Sequence, residues 1–174
     1  MGLADRRTRF EALYAEHAHA VARYARRRAD EQTAADVVSE VFVVAWRRFD
    51  DVPEDALPWL LGCARRVLWH HHRAEQRRGR LLDRLKSSAP RIAVTVELPS
   101  TVLARALVTL SERDREVLLL TAWEGLTTDQ AAKVLGCSPQ TFRVRAHRAR
   151  QRLADAMHAL DQADEAPSIA EVCK

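Results

Sequence analysis

The sequence predicts an all-α protein made of two small helical domains, and three observations carry that prediction. Glycine and proline are scarce, five and six in 174 residues, while Ala, Leu, Arg and Glu are abundant, a balance that favours long helices over strands and turns. Apolar residues recur at intervals of three and four over several stretches. Between them, residues 79–100 lose that periodicity and separate two periodic halves. A composition of 47% apolar and 30% charged residues is that of a globular chain, and the length suits one medium or two small domains.

In the first half, Phe10, Leu13, Tyr14, Val21 and Tyr24 form one stripe, with His17 on it, and predict a first amphipathic helix over 10–24. A second helix over 33–49 presents Val37, Val38, Val41, Phe42, Ala45 and Phe49 to a core. Residues 50–58 hold two prolines and four acids and read as a loop, with Pro58 suited to the first turn of the next helix. That third helix is expected over 59–78 and has two faces. Leu60, Ala64, Val67, Leu68 and His71 lie on one, with Trp59 beside them as a core residue. Arg66, Trp69, His70, Arg73 and Arg77 lie on the other at spacings of three and four, which sets aromatic and basic side chains side by side.

The stretch SSAPRIAVTVELPS mixes β-branched residues with two prolines and belongs to an irregular linker over 79–100. The second domain is expected over 101–160. It begins with a short helix over 101–110, and Ser111 with Asp114 three residues on caps a further helix running to Trp123. Thr127 and Gln130 have the spacing of a capping box, and Gly136 can take the left-handed conformation that ends a short helix. Ser138 then caps a helix with Pro139 in its first position and Phe142, Ala146, Ala149, Leu153 and Met157 as its buried stripe. Together these form a helix-turn-helix, in which small Ala131 and Ala132 allow close helix approach. The acidic tail 161–174 is expected to be disordered.

A net charge of +4 and a pI of 9.3 are compatible with a polyanionic partner, and the basic residues cluster over 23–28, 65–80 and 143–152. Three widely spaced cysteines, Cys63, Cys137 and Cys173, suggest neither a disulfide framework nor a zinc site. Cys63, near the apolar face of the third helix, reads as packing. The start MGLADRRTRF has no apolar signal core and no run approaches a bilayer span, so the expectation is a cytoplasmic protein without membrane insertion. No cofactor, metal or catalytic residue is expected.

The helix that follows Ser138 has the chemistry of a DNA-recognition helix, which buries one face and leaves its first turns free for the major groove. Gln140, Arg143 and His147 project away from the buried stripe, and no acid occurs over 139–152. Paired donors and acceptors on Gln and Arg match adenine and guanine edges, so Gln140 and Arg143 are the candidates for base contact. Arg145, Arg148, Arg150 and Lys133 suit phosphates, which supply affinity without choosing sequence.

With DVVSEVFVVAW in the first half and LSERDREVLLLTAWEGLTTDQAAKVLGCSPQTFRVRAHRARQRL in the second, the chain resembles extracytoplasmic-function (ECF) RNA polymerase sigma factors. The resemblance covers 10–78 as the family's region 2 and 102–157 as its region 4. It implies an initiation factor that is not itself an enzyme and that carries core RNA polymerase to promoter DNA. The Asp-x-x-x-Glu-x-Phe element would dock on a coiled coil of the largest polymerase subunit, which implies roles for Asp36, Glu40 and Trp46. Asp36 and Glu40, one turn apart beside an apolar stripe, suit basic groups at the rim of such a contact.

By the same resemblance, residues 50–57 and the basic-aromatic face of the third helix would capture the melted −10 strand. Arg66, Trp69, His70, Arg73 and Arg77 fit that role, since aromatic rings stack bases and arginines track the backbone. Arg66 stands where relatives often have Asn, and His70 where they often have Asp. Region 4 would read the −35 element and meet the flap of the second-largest subunit. The linker would pass through the polymerase cleft, where some twenty residues reach up to roughly 70 Å when extended. The family also suggests an anti-sigma factor as a further partner.

Two other readings compete. A metal site on His70, His71, His72 and Cys63 would need histidines that point about 100° apart on a helix to converge. A dimeric helix-turn-helix regulator that never engages polymerase would need neither the 36–46 element nor a stacking platform, and this is the closer rival.

Overall fold

The computed structural model describes residues 3–83 and 101–165. Every regular element among them is helical, and the chain divides into two compact units. The first contains α1 (Leu3–Arg26), α2 (Glu31–Arg47) and α3 (Ala56–Asp83), with a short 3-10 turn at Phe49–Asp51. The second contains α4 (Val102–Thr109), α5 (Glu112–Ala122), α7 (Pro139–Glu165) and the first part of α6 (Thr128–Leu135). The all-α, two-domain expectation therefore holds.

In the first unit α1, α2 and α3 pack on one another around Val21, Tyr24, Val37, Val41, Leu60 and Ala64, all fully buried. α2 starts two residues earlier than its periodicity suggests, because Asp30 caps it. The Asp30 carboxylate accepts the Thr33 N–H and hydroxyl, each at 2.9 Å, which holds that carboxyl below its usual range. α1 likewise begins at Leu3, because its first turns have work to do. Arg6 donates to the Trp46 carbonyl at 2.7 Å and lies 5.3 Å from the Trp46 ring centre. Phe10 presents its ring edge-on to Phe42, Trp46 and Phe49 at 5.1 to 6.3 Å. Phe49 itself lies in the 3-10 turn beyond α2, still buried.

α3 departs from expectation at both ends. It begins at Ala56, so the acidic loop is shorter than 50–57 and Ala56 and Leu57 are already helical, with buried Pro58 in the first turn. It also continues through Gly79 to Asp83, which removes 79–83 from the irregular segment expected there. One glycine costs a helix only about 1 kcal/mol relative to alanine, and the Arg and Leu residues around it are strong helix formers. Residues 84–100 of the expected linker lie outside the described residues.

In the second unit α7 packs against α4 and α5, with Ala106, Leu107, Val117, Leu119, Leu120, Phe142, Ala146 and Ala149 buried. Ser111 caps α5 by accepting the Asp114 N–H at 3.2 Å and donates its hydroxyl to the Asp114 carboxylate at 2.7 Å. The same carboxylate receives Arg152 of α7 at 2.6 Å. These two donors, Ser111 foremost, hold Asp114 below the usual aspartate range although it is buried. Arg115 reaches back to the carbonyls of Leu107, Val108 and Leu110 at 2.8 to 3.0 Å, satisfying acceptors that the end of α4 leaves open.

The acidic tail expected to be disordered from 161 is helical as far as Glu165. No proline interrupts α7 before 167, and Asp164 accepts Arg105 of α4 at 2.7 Å. Residues 166–174 of that tail lie outside the described residues.

Candidate nucleic-acid and polymerase interfaces

The helix-turn-helix is built by the devices its sequence announces. The Thr127 N–H donates to Gln130 Oε1 at 3.0 Å while the Gln130 N–H donates to Thr127 Oγ1 at 3.3 Å, closing the capping box of α6. Gly136 has φ of 63°, and the Cys137 and Gly136 N–H groups turn back to the Ala132 and Lys133 carbonyls at 3.0 and 3.2 Å. Ser138 then accepts the Thr141 N–H at 3.1 Å, and Pro139 opens α7.

With Phe142, Ala146 and Ala149 buried, the opposite face of α7 is turned outward. Lys133, Gln140, Arg143, Arg145, His147, Arg148 and Arg150 are all exposed. None makes a hydrogen bond or ion pair with another described residue. At about 100° per residue, Gln140 and His147 lie near the middle of that face, Arg143 and Arg150 on one flank and Arg145 and Arg148 on the other. Val144 also lies there, 42% exposed. The sequence alone does not single it out, because an apolar residue on an arginine-rich helix reads as an interruption.

The basic-aromatic face of α3 is partly assembled. Trp69 is 52% exposed, the Arg73 guanidinium lies 4.5 Å from its ring centre, and His70 stands edge-on at 5.1 Å. Arg66 folds back along its own helix, donating to the Gly62 carbonyl at 3.3 Å and reaching Cys63 Sγ at 3.6 Å. Arg77 is exposed further along the helix and joins no contact with these four. Trp59, expected in the core, is only half-buried. Cys63 is buried, and burial pushes its thiol above the ordinary range, as suits a packing residue.

On α2, Asp36 and Glu40 are exposed one turn apart. Glu40 is also tied to α3, with its Oε1 2.8 Å from His71 Nε2. His71, expected on the apolar face, is half-buried there, and its contact with Glu40 is not visible in the sequence because the two are 31 residues apart. Trp46 carries a double burden, partly exposed yet packed against Phe10 and Arg6 of α1.

The three consecutive histidines diverge, His70 to Trp69, His71 to Glu40 and His72 to Glu75 at 3.8 Å. Among the described residues no three His, Cys, Asp or Glu side chains are grouped to hold a metal, and no helix is long and apolar enough to cross a membrane.

Family comparisons match both units. The model for Sigma-70 region 2 matches residues 13–78, and the model for Sigma-70, region 4, matches residues 100–153. The ECF RNA polymerase sigma factor SigL of Mycobacterium tuberculosis is 32% identical over 144 residues, 78% of this chain and 81% of its own. The chain belongs to the ECF RNA polymerase sigma factors.

The RNA polymerase sigma factor CnrH of Cupriavidus metallidurans is 32% identical over 165 residues, 83% of this chain and 84% of its own. CnrH solved with the cytosolic domain of CnrY has a TM-score of 0.62 at 30% identity, covering 86% of this chain and 88% of its own. RpoE from Bartonella quintana, solved with the anti-sigma factor NepR, has a TM-score of 0.66 at 25% identity over 86% and 96% of the two chains. As an ECF sigma factor the chain is a promoter-directing transcription initiation factor, and the reading as a dimeric regulator that ignores polymerase is not favoured.

Proposed function

We propose that this sigma factor divides its work among three surfaces. Asp36 and Glu40, with Trp46 beside them, dock α2 on the coiled coil of the largest polymerase subunit. Arg66, Trp69, His70 and Arg73, extended by Arg77, hold the unpaired −10 strand. Gln140 and Arg143 read −35 base edges while Lys133, Arg145, His147, Arg148 and Arg150 grip its backbone. The observation that carries this reading is the half-exposed Trp69 lying under Arg73. A base can stack on that indole while the guanidinium meets the neighbouring phosphate, and a protein that binds only closed duplex has no use for such a platform.

Residues 84–100 then join the two DNA-reading units through the polymerase cleft, and the second unit meets the flap of the second-largest subunit. The protein works in the cytoplasm beside polymerase and makes or breaks no bond itself. The relatives solved with CnrY and NepR support an anti-sigma factor as a further partner. Adding the purified chain to sigma-free core polymerase and a promoter library tests the reading. Specific transcripts whose start sites share −10 and −35 sequences are expected, and neither core binding nor a specific transcript would overturn it.

A further inference from the structure

The face of α7 that points away from its buried stripe is polar and basic except at its centre. With about 100° between successive residues, Val144 lies about 200° round from Phe142, almost opposite the buried line of Phe142, Ala146 and Ala149. It is 42% exposed, one turn beyond Gln140 and one turn before His147 and Arg148. Folding rewards a valine there only weakly. Its stiff β-branched side chain is a weaker helix former than the Arg, Gln or Ala around it, and an exposed position gives it little packing.

A recognition helix enters the major groove by its first turns, where the C5 methyl of thymine is the one apolar group presented by unmodified bases. We propose that Val144 is a specificity residue that reads a thymine methyl in the −35 element, next to the base pair contacted by Gln140. This assignment rests on α7 being the −35 reader. Its branched methyls seal against the thymine C5 methyl and exclude water from the contact. Gln140, one turn earlier on the same line, is placed to take the paired hydrogen bonds of an adjacent adenine. The −35 element is therefore expected to contain a thymine, on either strand, within two base pairs of the position that Gln140→Ala makes indifferent.

Holoenzyme made with the full chain is used to select duplexes from a library randomised across the −35 block. Each thymine of the selected sequence is then replaced in turn by deoxyuracil, which lacks only the methyl. One replacement is expected to weaken binding about fourfold, the ratio equivalent to the ~0.8 kcal/mol of a buried methylene-sized group. Val144→Ala is expected to abolish that sensitivity while leaving thermal unfolding unchanged, and 5-methylcytosine at the same position is expected to bind better than cytosine only with Val144 present.

Enrichment of a −35 sequence with no methyl-sensitive position, or a sensitivity that persists in Val144→Ala, would overturn the role of Val144 and leave α7 as the −35 reader. No enrichment at all would overturn both.

Discussion

The candidate surfaces of the two units differ in how far their side chains are already engaged within the protein. On α7 the candidate residues stand clear of the fold, bound to no other described residue. In the first unit most candidates have internal partners: Glu40 with His71, Trp46 with Phe10 and Arg6, Trp69 with Arg73, and Arg66 with Gly62. In the proposed division of work, the second unit keeps structure and recognition on opposite sides of one helix, whereas the first uses the same residues for both. Substitutions on α7 should therefore change binding alone, whereas several in the first unit should change stability as well.

The largest effect that sharpens this contrast is expected from Trp46→Ala. Removing a ring held edge-on by Phe10 and covered by Arg6 should lower the stability of the first unit by about 3 kcal/mol, read as an earlier first transition in urea. Loss of core binding should follow that instability. Next comes Arg143→Ala, which should cost about 1–3 kcal/mol in discrimination at one −35 base pair, with stability unchanged to within about 0.5 kcal/mol. Competition between matched and mismatched duplexes measures it. A large stability loss there would break the separation of roles proposed for α7.

A smaller effect is expected from Asp114→Asn, which weakens the cap of α5 and its tie to Arg152, at about 1 kcal/mol in second-unit stability. The sign with pH follows from the depressed carboxyl of Asp114. Its contribution is fully present above the ordinary aspartate value of about 4 and disappears as pH falls through the lower folded value. Unfolding curves of the parent and Asp114→Asn should therefore differ at neutral pH and converge in acid. The smallest effect is expected from Arg148→Ala, a uniform weakening on all duplexes with the salt slope reduced by about 0.9, seen in binding titrations at several salt concentrations.

Legibility followed the same divide. The helix-turn-helix could be read residue by residue, because a capping box, a left-handed glycine and a Ser-Pro start are local devices whose partners lie within a few positions. The boundaries of α1 and α7 were less legible, because what extends them is distant. Arg6 reaches Trp46 across 40 residues and Arg105 reaches Asp164 across 59. The acidic run after Asp161 looked like an end only when weighed locally, and Gly79 looked like one only when its helix-forming neighbours were left out. The same limit hid the Glu40–His71 link, whereas the face that Val144 occupies is legible in the sequence and only its meaning is not, because an apolar residue on an arginine-rich helix reads as an interruption.

The central claim is that docking and −35 reading are separate functions of separate units. The direct measurement compares Asp36→Ala/Glu40→Ala with Arg143→Ala, both in the full chain, for affinity to core polymerase and for selectivity among −35 duplexes. The double variant should lose core affinity and keep duplex selectivity, and Arg143→Ala should do the reverse. Equal loss of both activities in either protein would contradict the account.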